Sequence, residues 1–201
     1  MKKPLLLVGL IIILAVALLT LLLWEPPIEE HENLASVIAE VPEGGDFTLN
    51  SYAGEVSLRS LHGKVVVLYF GYTWCPDICP TSLGFLAAAL NELSAEELAD
   101  LQVLFISVDP ARDTLVRLKE YGEYFHSNIL GITGSPEEVV KTAKLYGAAY
   151  SVAEQDSAAG YVVDHTADLY MINRQGRLET KLPHGTSPNE TLVVLRKLLA
   201  N

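Results

Sequence analysis

KVVVLYFGYTWCPDICPTSL, Lys64 to Leu83, joins two kinds of pattern and carries both cysteines of the 201-residue chain. Its first part, Lys64 to Phe70, is an unbroken β-branched and aromatic run between Gly63 and Gly71. Such a run reads as a strand covered on both faces. Its last part opens a helix: across Thr81 to Leu93, apolar residues at Leu83, Leu86, Ala87, Leu90 and Leu93 recur at helical spacing. Cys75 and Cys79 stand at the junction, at the carboxyl end of a strand, where ligands gather in open α/β sheets.

The elements around this stretch follow from the same reading. Phe47 to Leu49 and Val56 to Leu58 flank a turn-rich Ser51 to Gly54 and predict a hairpin. Leu101 to Val108 is a second buried strand, and Asp113 to Phe125 is helical, with Leu115, Leu118, Tyr121 and Phe125 on one face. Ser135-Pro136-Glu137-Glu138 combines an N-cap Ser, Pro at the first helical position and a capping-box Glu. Ser187-Pro188-Asn189-Glu190 repeats the device before a last helix that runs to about Leu199. Between them, Ala167 to Ile172 and Leu178 to Lys181 flank Asn173-Arg174-Gln175-Gly176, a hairpin signal. The order is hairpin, β, α, β, α, helix, hairpin, α, which predicts a thioredoxin-like α/β sandwich with an N-terminal hairpin extension.

Ahead of this domain, residues Leu5 to Trp24 form one apolar run, and about 20 apolar residues in a helix cross the roughly 30 Å hydrocarbon core. The run is too long for a secretory signal and no Ala-x-Ala-like cleavage site follows it. It predicts an uncleaved transmembrane anchor in residues 1–24. Lys2 and Lys3 before the run and acidic residues after it place the N-terminus in the cytoplasm of a bacterium and the remainder in the periplasm, an oxidising space. Residues 25–45, acidic and Pro-containing, read as a tether, and residues 46–201 as one domain. The formal net charge of −11 disfavours nucleic-acid binding and is compatible with a cationic partner or a metal ion.

Two thiols at one helix start are acidified by its amide groups. Positions four apart on a helix hold Cβ atoms about 5 to 6 Å apart, against the roughly 3.5 to 4.5 Å of a disulfide. A bridge needs local bending, whereas one metal ion takes both sulfurs with less. Soft thiolates select Cu(I), and a structural zinc site calls for four protein ligands, of which cysteine supplies two here. Among five histidines, His31 falls in the tether, His62 at the opposite end of the buried strand, His126 at a helix end and His184 after the second hairpin. His165 precedes the strand Ala167 to Ile172, at the entrance that faces the cysteine loop in a thioredoxin-like fold. That entrance carries a cis-proline in thioredoxin-type oxidoreductases, and Tyr161 to Ile172 has no proline.

Three separated pieces in order, GKVVVLYFGYTWCPDICPTSL, SVDPARDT (Ser107 to Thr114) and VDHTADLYMIN (Val163 to Asn173), resemble the Sco (SenC-type) copper proteins that help assemble cytochrome c oxidase. The resemblance covers about Asp46 to the C-terminus. It implies Cys75, Cys79 and His165 as copper ligands, for Cu(I) and also Cu(II), and a role in metallating the dinuclear copper centre of the oxidase. Its implied partners are the oxidase subunit carrying that centre and another copper chaperone as donor. It also implies an alternative, a thiol-disulfide reductase keeping the centre's cysteines reduced with Cys75 and Cys79 as redox pair. Trp74 stands where many members carry His or Phe. Of the other motif residues, Asp77 reads either as a tuning group for the thiols or as a helix cap. Asp109, Arg112 and Asp113 read first as a strand-end turn leading to an N-cap, and Asp164 as a group that could orient His165. A structural disulfide closing so short a loop contributes little, and a peroxiredoxin-like loop lacks its Pro in Gly71 to Trp74.

Overall fold

The computed structural model describes residues 16–20, 23, 44–157 and 160–201. The chain divides into two units, Met1–Glu40 and Val41–Asn201. In the first, residues 16–20 are helical. Among the described residues no helix is long and apolar enough to cross a membrane. Most of the expected span Leu5 to Trp24, the tether up to residue 43 and His31 lie outside the described residues.

In the second unit a seven-stranded sheet is built from β1 (Thr48–Ser51), β2 (Gly54–Ser57), β3 (Val65–Gly71), β4 (Leu101–Ser107), β5 (Ile129–Thr133), β8 (Leu169–Ile172) and β9 (Leu178–Leu182). Two further strands, β6 (Tyr150–Ser157) and β7 (Gly160–His165), form a separate antiparallel ribbon. The sheet order is β2-β1-β5-β4-β3-β8-β9. The central β3, β4 and β5 are parallel, and antiparallel neighbours complete each side. Among the described residues five α-helices flank it: α1 (Ile78–Leu90), α2 (Ala95–Ala99), α3 (Leu115–Phe125), α4 (Pro136–Tyr146) and α5 (Pro188–Leu199).

β3 is buried at every position, as its continuous apolar run requires, because successive side chains enter opposite layers. Val66, Leu68 and Phe70 pack with Val139, Ala143 and Tyr146 of α4. Val65, Val67 and Tyr69 pack with Leu83, Leu86 and Leu90 of α1, Leu118 of α3 and Leu195 of α5. Ser135 and Ser187 close the expected capping boxes with Glu138 and Glu190. Gly147 ends α4 in the left-handed conformation, φ 64°, which an L side chain resists. Gly44 and Gly45, counted with the tether in the sequence, are bonded to the end of α4: Gly44 N–H donates to Leu145 O at 3.2 Å, and Tyr146 Oη donates to Gly45 O at 2.7 Å.

The architecture agrees with the expected sandwich and hairpin extension, and adds elements that were not expected: the short helix α2 after α1, and the strands that follow. β5 follows α3 where no strand was expected, and the β6–β7 ribbon precedes the second hairpin. The β5 segment is short and broken by Gly131, whose extra Cβ would run into the Leu118 carbonyl and side chain. The glycine that weakens the strand pattern lets α3 lie close on the sheet.

Candidate metal centre

β3 delivers the chain to Gly71, and a tight turn in which Cys75 N–H donates to Tyr72 O at 3.3 Å carries it into α1. Cys75 therefore sits just ahead of the helix and Cys79 in its first turn, as the spacing predicts. The Cys79 amide donates to Cys75 Sγ at 3.4 Å, so the helix N-terminus faces the first sulfur. Gly71 makes room for the second: a Cβ there would lie 2.7 Å from Cys79 Sγ. Both thiols are free, Cys75 half-buried and Cys79 buried.

The imidazole arrives on β7, of which His165 is the last residue. Its Nε2 stands 3.2 Å from Cys79 Sγ and its Nδ1 3.1 Å from Thr166 O. A carbonyl only accepts, so Nδ1 carries the proton and Nε2 is the nitrogen turned to the sulfurs. Tyr72 and Tyr69 meet the ring edge-on, with centroids 5.8 and 6.2 Å away. The ligand atoms of Cys75, Cys79 and His165 all lie within 4.8 Å of one another. Among the described residues this is the group of thiol, imidazole and carboxylate side chains with a metal-binding arrangement.

The sulfurs are not equivalent. The hydrogen bond from Cys79 holds the Cys75 thiol well below the ordinary thiol range, helped by His165 and the amides of Cys79 and Asp77 against the cost of partial burial. Burial pushes Cys79 the other way, reinforced by the bond and the charge of Cys75. Two neighbouring groups titrate as a pair, so the first proton leaves from the Cys75 side and the second is retained. Burial also pushes the Tyr69 hydroxyl far above the ordinary phenol range. The soft, closely gathered donor set of two sulfurs and one imidazole suits Cu(I).

Above Cys75 and His165 lies a groove of about 320 Å³, walled by Pro76, Ile78 and Val162 and bordered by Asp77 and Asp164. A larger groove of about 450 Å³ runs along α4 among Pro136, Val140 and Lys141, without a thiol or imidazole. Trp74 is 48% exposed beside the site, stacked under the Arg117 guanidinium at 4.4 Å.

The remaining candidates are placed elsewhere. His184 Nδ1 is 2.8 Å from Ser82 Oγ, His126 Nδ1 accepts from Asn128 N–H, and His62 follows the short 3-10 turn Leu58–Leu61. Asp77 occupies the N-cap position of α1 without a side-chain cap bond. Asp164 is exposed and points away from β7's inner face. The Thr166 carbonyl orients His165 in its place, a backbone group that no residue pattern announces. Sequence reasoning also missed Tyr69 and Tyr72 as the walls of the imidazole, since Tyr69 reads as core in the buried run and Tyr72 stands in the turn after it.

The SCO1/SenC family model matches residues 36–200. A SCO2-like protein of Rickettsia conorii is 33% identical over 181 residues, covering 89% of this chain and 87% of its own. The bovine mitochondrial SCO2 homolog is 40% identical over 134 residues, 66% of this chain but 50% of that relative. The chain thus spans about half the length of the mitochondrial protein. Among solved structures, Arabidopsis thaliana ScoI with copper bound superposes with a TM-score of 0.70 at 33% identity, over 79% of this chain and 99% of that one. The thioredoxin-like fold is shared with these neighbours.

Proposed function

The chain belongs to the SCO1/SenC family, and from that premise we propose that it is a membrane-anchored copper chaperone. Cys75, Cys79 and His165 hold one Cu(I) ion and deliver it toward the dinuclear copper centre of cytochrome c oxidase. The observation that carries this reading is the gathering of two sulfurs and an Nε2 lone pair within 4.8 Å. Copper sits in the related Arabidopsis ScoI, which adds support. Three ligands leave coordination positions for an incoming donor, and the half-buried Cys75 opens on the groove, so the ion is cargo that a partner's thiols or imidazoles can reach. In this reading residues 1–24 anchor the protein in a bacterial inner membrane with the N-terminus cytoplasmic. Residues 25–45 are the tether and residues 46–201 the periplasmic copper-binding domain. The partners are the copper-centre subunit of the oxidase and a second copper chaperone as donor.

The test is an anaerobic Cu(I) titration of the reduced, detergent-solubilised chain against a bidentate competitor. Wild type binds one Cu(I) tightly, and His165→Ala binds it more weakly. Equal weak binding by both overturns the three-ligand reading.

A second reading rests on the unlike thiols. A Cys75 thiolate attacks one sulfur of a partner's disulfide, forming a mixed disulfide and releasing one partner thiolate. Cys79, giving up its proton, then displaces the second. Cys79 Sγ bonds to Cys75 Sγ, the partner gains two electrons and leaves as one thiolate and one thiol carrying the Cys79 proton, and Cys75–Cys79 ends as the disulfide. Cys79→Ser traps the mixed disulfide on this reading, and recovery of no such adduct with an oxidised copper-centre domain overturns it.

A further inference from the structure

The loop Asp109–Asp113, after β4, carries two buried carboxylates whose bonds reach well beyond the loop. Asp109 is 4% exposed and Asp113 2%. Uncompensated, such groups are costly. The turn leads, as the sequence suggested, to an N-cap, which is Thr114, whose Oγ1 accepts from Arg117 N–H, so neither aspartate is itself the cap. Besides the Arg112 pair of Asp109 and the Ser107 bond of Asp113, their bonds go to the two arms of the copper site.

One arm is the turn that ends in Cys75. Asp113 accepts from Thr73 N–H at 3.0 Å, from Thr73 Oγ1 at 2.5 Å and from Ser107 Oγ at 2.6 Å. The other arm is β7. Tyr161 Oη donates to Asp109 at 2.7 Å, and Arg112, paired with Asp109 through Nε, donates from Nη1 to Tyr161 O at 2.8 Å. The Arg112 guanidinium lies 3.6 Å from the Tyr161 ring centroid. Tyr161, Val163 and His165 alternate onto one face of the strand, and Val163 N–H donates to Tyr72 Oη at 3.2 Å, tying the two arms directly.

We infer that the Asp109–Asp113 loop is a positioning bracket that sets the separation between the Cys75 turn and His165. Asp113 grips the thiol arm, and Asp109 with Arg112 grips the imidazole arm. Among the described residues the ribbon β6–β7 pairs with no strand of the main sheet, so this grip, together with the Val163–Tyr72 bond, registers His165 against the sulfurs. Arg112 is suited to the task because its planar fork reaches a carboxylate and a carbonyl while stacking on a ring, which a lysine does not reproduce. The inference rests on the copper reading of Cys75, Cys79 and His165.

The experiment is a double-mutant cycle on Cu(I) affinity in the full chain. Tyr161→Phe and Arg112→Lys are each measured with His165 present and in the His165→Ala background, alongside thermal unfolding. The expected result is that each variant weakens Cu(I) binding by about tenfold when His165 is present, the scale for groups that hold a metal ligand in place. In the His165→Ala background neither weakens it further. Wild-type affinity in both variants overturns the bracket, as does an equal loss in the two backgrounds, which is the signature of general loosening rather than positioning. Tyr161→Phe removes one hydroxyl at a half-buried site, so it keeps the question open to measurement should Arg112→Lys fail to fold. A wild-type chain that binds no Cu(I), or binds it equally without His165, overturns the copper reading itself and is distinguishable from failure of the bracket alone.

Discussion

Replacing Gly71 by alanine adds one methyl group at the most crowded point of the site. The new Cβ would stand 2.7 Å from Cys79 Sγ, 2.9 Å from Phe105 Cε2 and 3.1 Å from Tyr69 Cε1, where ordinary contact begins at 3.4 Å. Cys79, Phe105 and Tyr69 are all fully buried, so no flexible tip can swing aside. The sulfur must retreat by about 0.7 Å or the rings must tilt, and overpacking of this kind costs about 1 to 3 kcal/mol. For a chain of this size that lowers Tm by roughly 2 to 12 °C, at about 2 to 4 °C per kcal/mol. Because Cys79 is one of the proposed ligands and a ligand must be held within about 0.5 Å of its productive position, Cu(I) affinity falls as well. Urea unfolding of the apoprotein followed by the Cu(I) competition titration reads both quantities. A Gly71→Ala protein with wild-type stability and wild-type affinity refutes the reasoning, since it would mean that the packing around Cys79 yields without effect.

Gly84 provides the opposite case: it lies in the middle of α1 and a Cβ there meets nothing within 4 Å. Gly84→Ala is expected to raise stability by about 0.5 to 1 kcal/mol through helix propensity, and the same urea unfolding shows whether the two alanines act with opposite sign. Ser135→Ala removes the hydroxyl that accepts from Glu138 N–H at 3.3 Å and is expected to cost about 0.5 to 2 kcal/mol, read as a shift of the urea midpoint at unchanged slope. The thiols predict a pH effect. The folded Cys75 lies below the ordinary thiol range, so its thiolate persists as pH falls from 8 to 6, whereas an ordinary thiol near 8.5 loses thiolate about tenfold per unit over that interval. Alkylation of Cys75 by iodoacetamide in the metal-free protein is therefore nearly flat between pH 6 and 8. A rate that drops in proportion to hydroxide would show that the helix start and Cys79 do not acidify it.

The apolar run Lys64 to Phe70, the helical spacing after Thr81 and the two Ser-Pro-x-Glu starts are local patterns. Each records a requirement of one element: cover on both faces, one apolar stripe, satisfied amides. That is why the central strand, its following helix and the caps of α4 and α5 were legible in the residues, and why Cys75 and Cys79 could be placed at a strand end facing a helix start. Location ranked His165 first among the histidines, and the fold brings it to 3.2 Å from Cys79.

What the residues did not disclose depends on groups distant in the chain. The strand β5 is masked by Gly131, a residue chosen for the approach of α3. The β6–β7 ribbon packs Val163 into the core, and its place is also registered by Tyr161 against Asp109 and Arg112, 52 and 49 residues apart in sequence. Asp109 and Asp113 looked like residues of a turn leading to an N-cap since their neighbours in sequence suffice for that. Only packing shows that their carboxylates reach Tyr161 and Thr73. The sequence alone determined which side chains could take a soft metal and which elements would carry them. The tertiary structure decided how far apart those side chains stand, because a separation across 86 residues is set by long-range contacts that local periodicity does not encode.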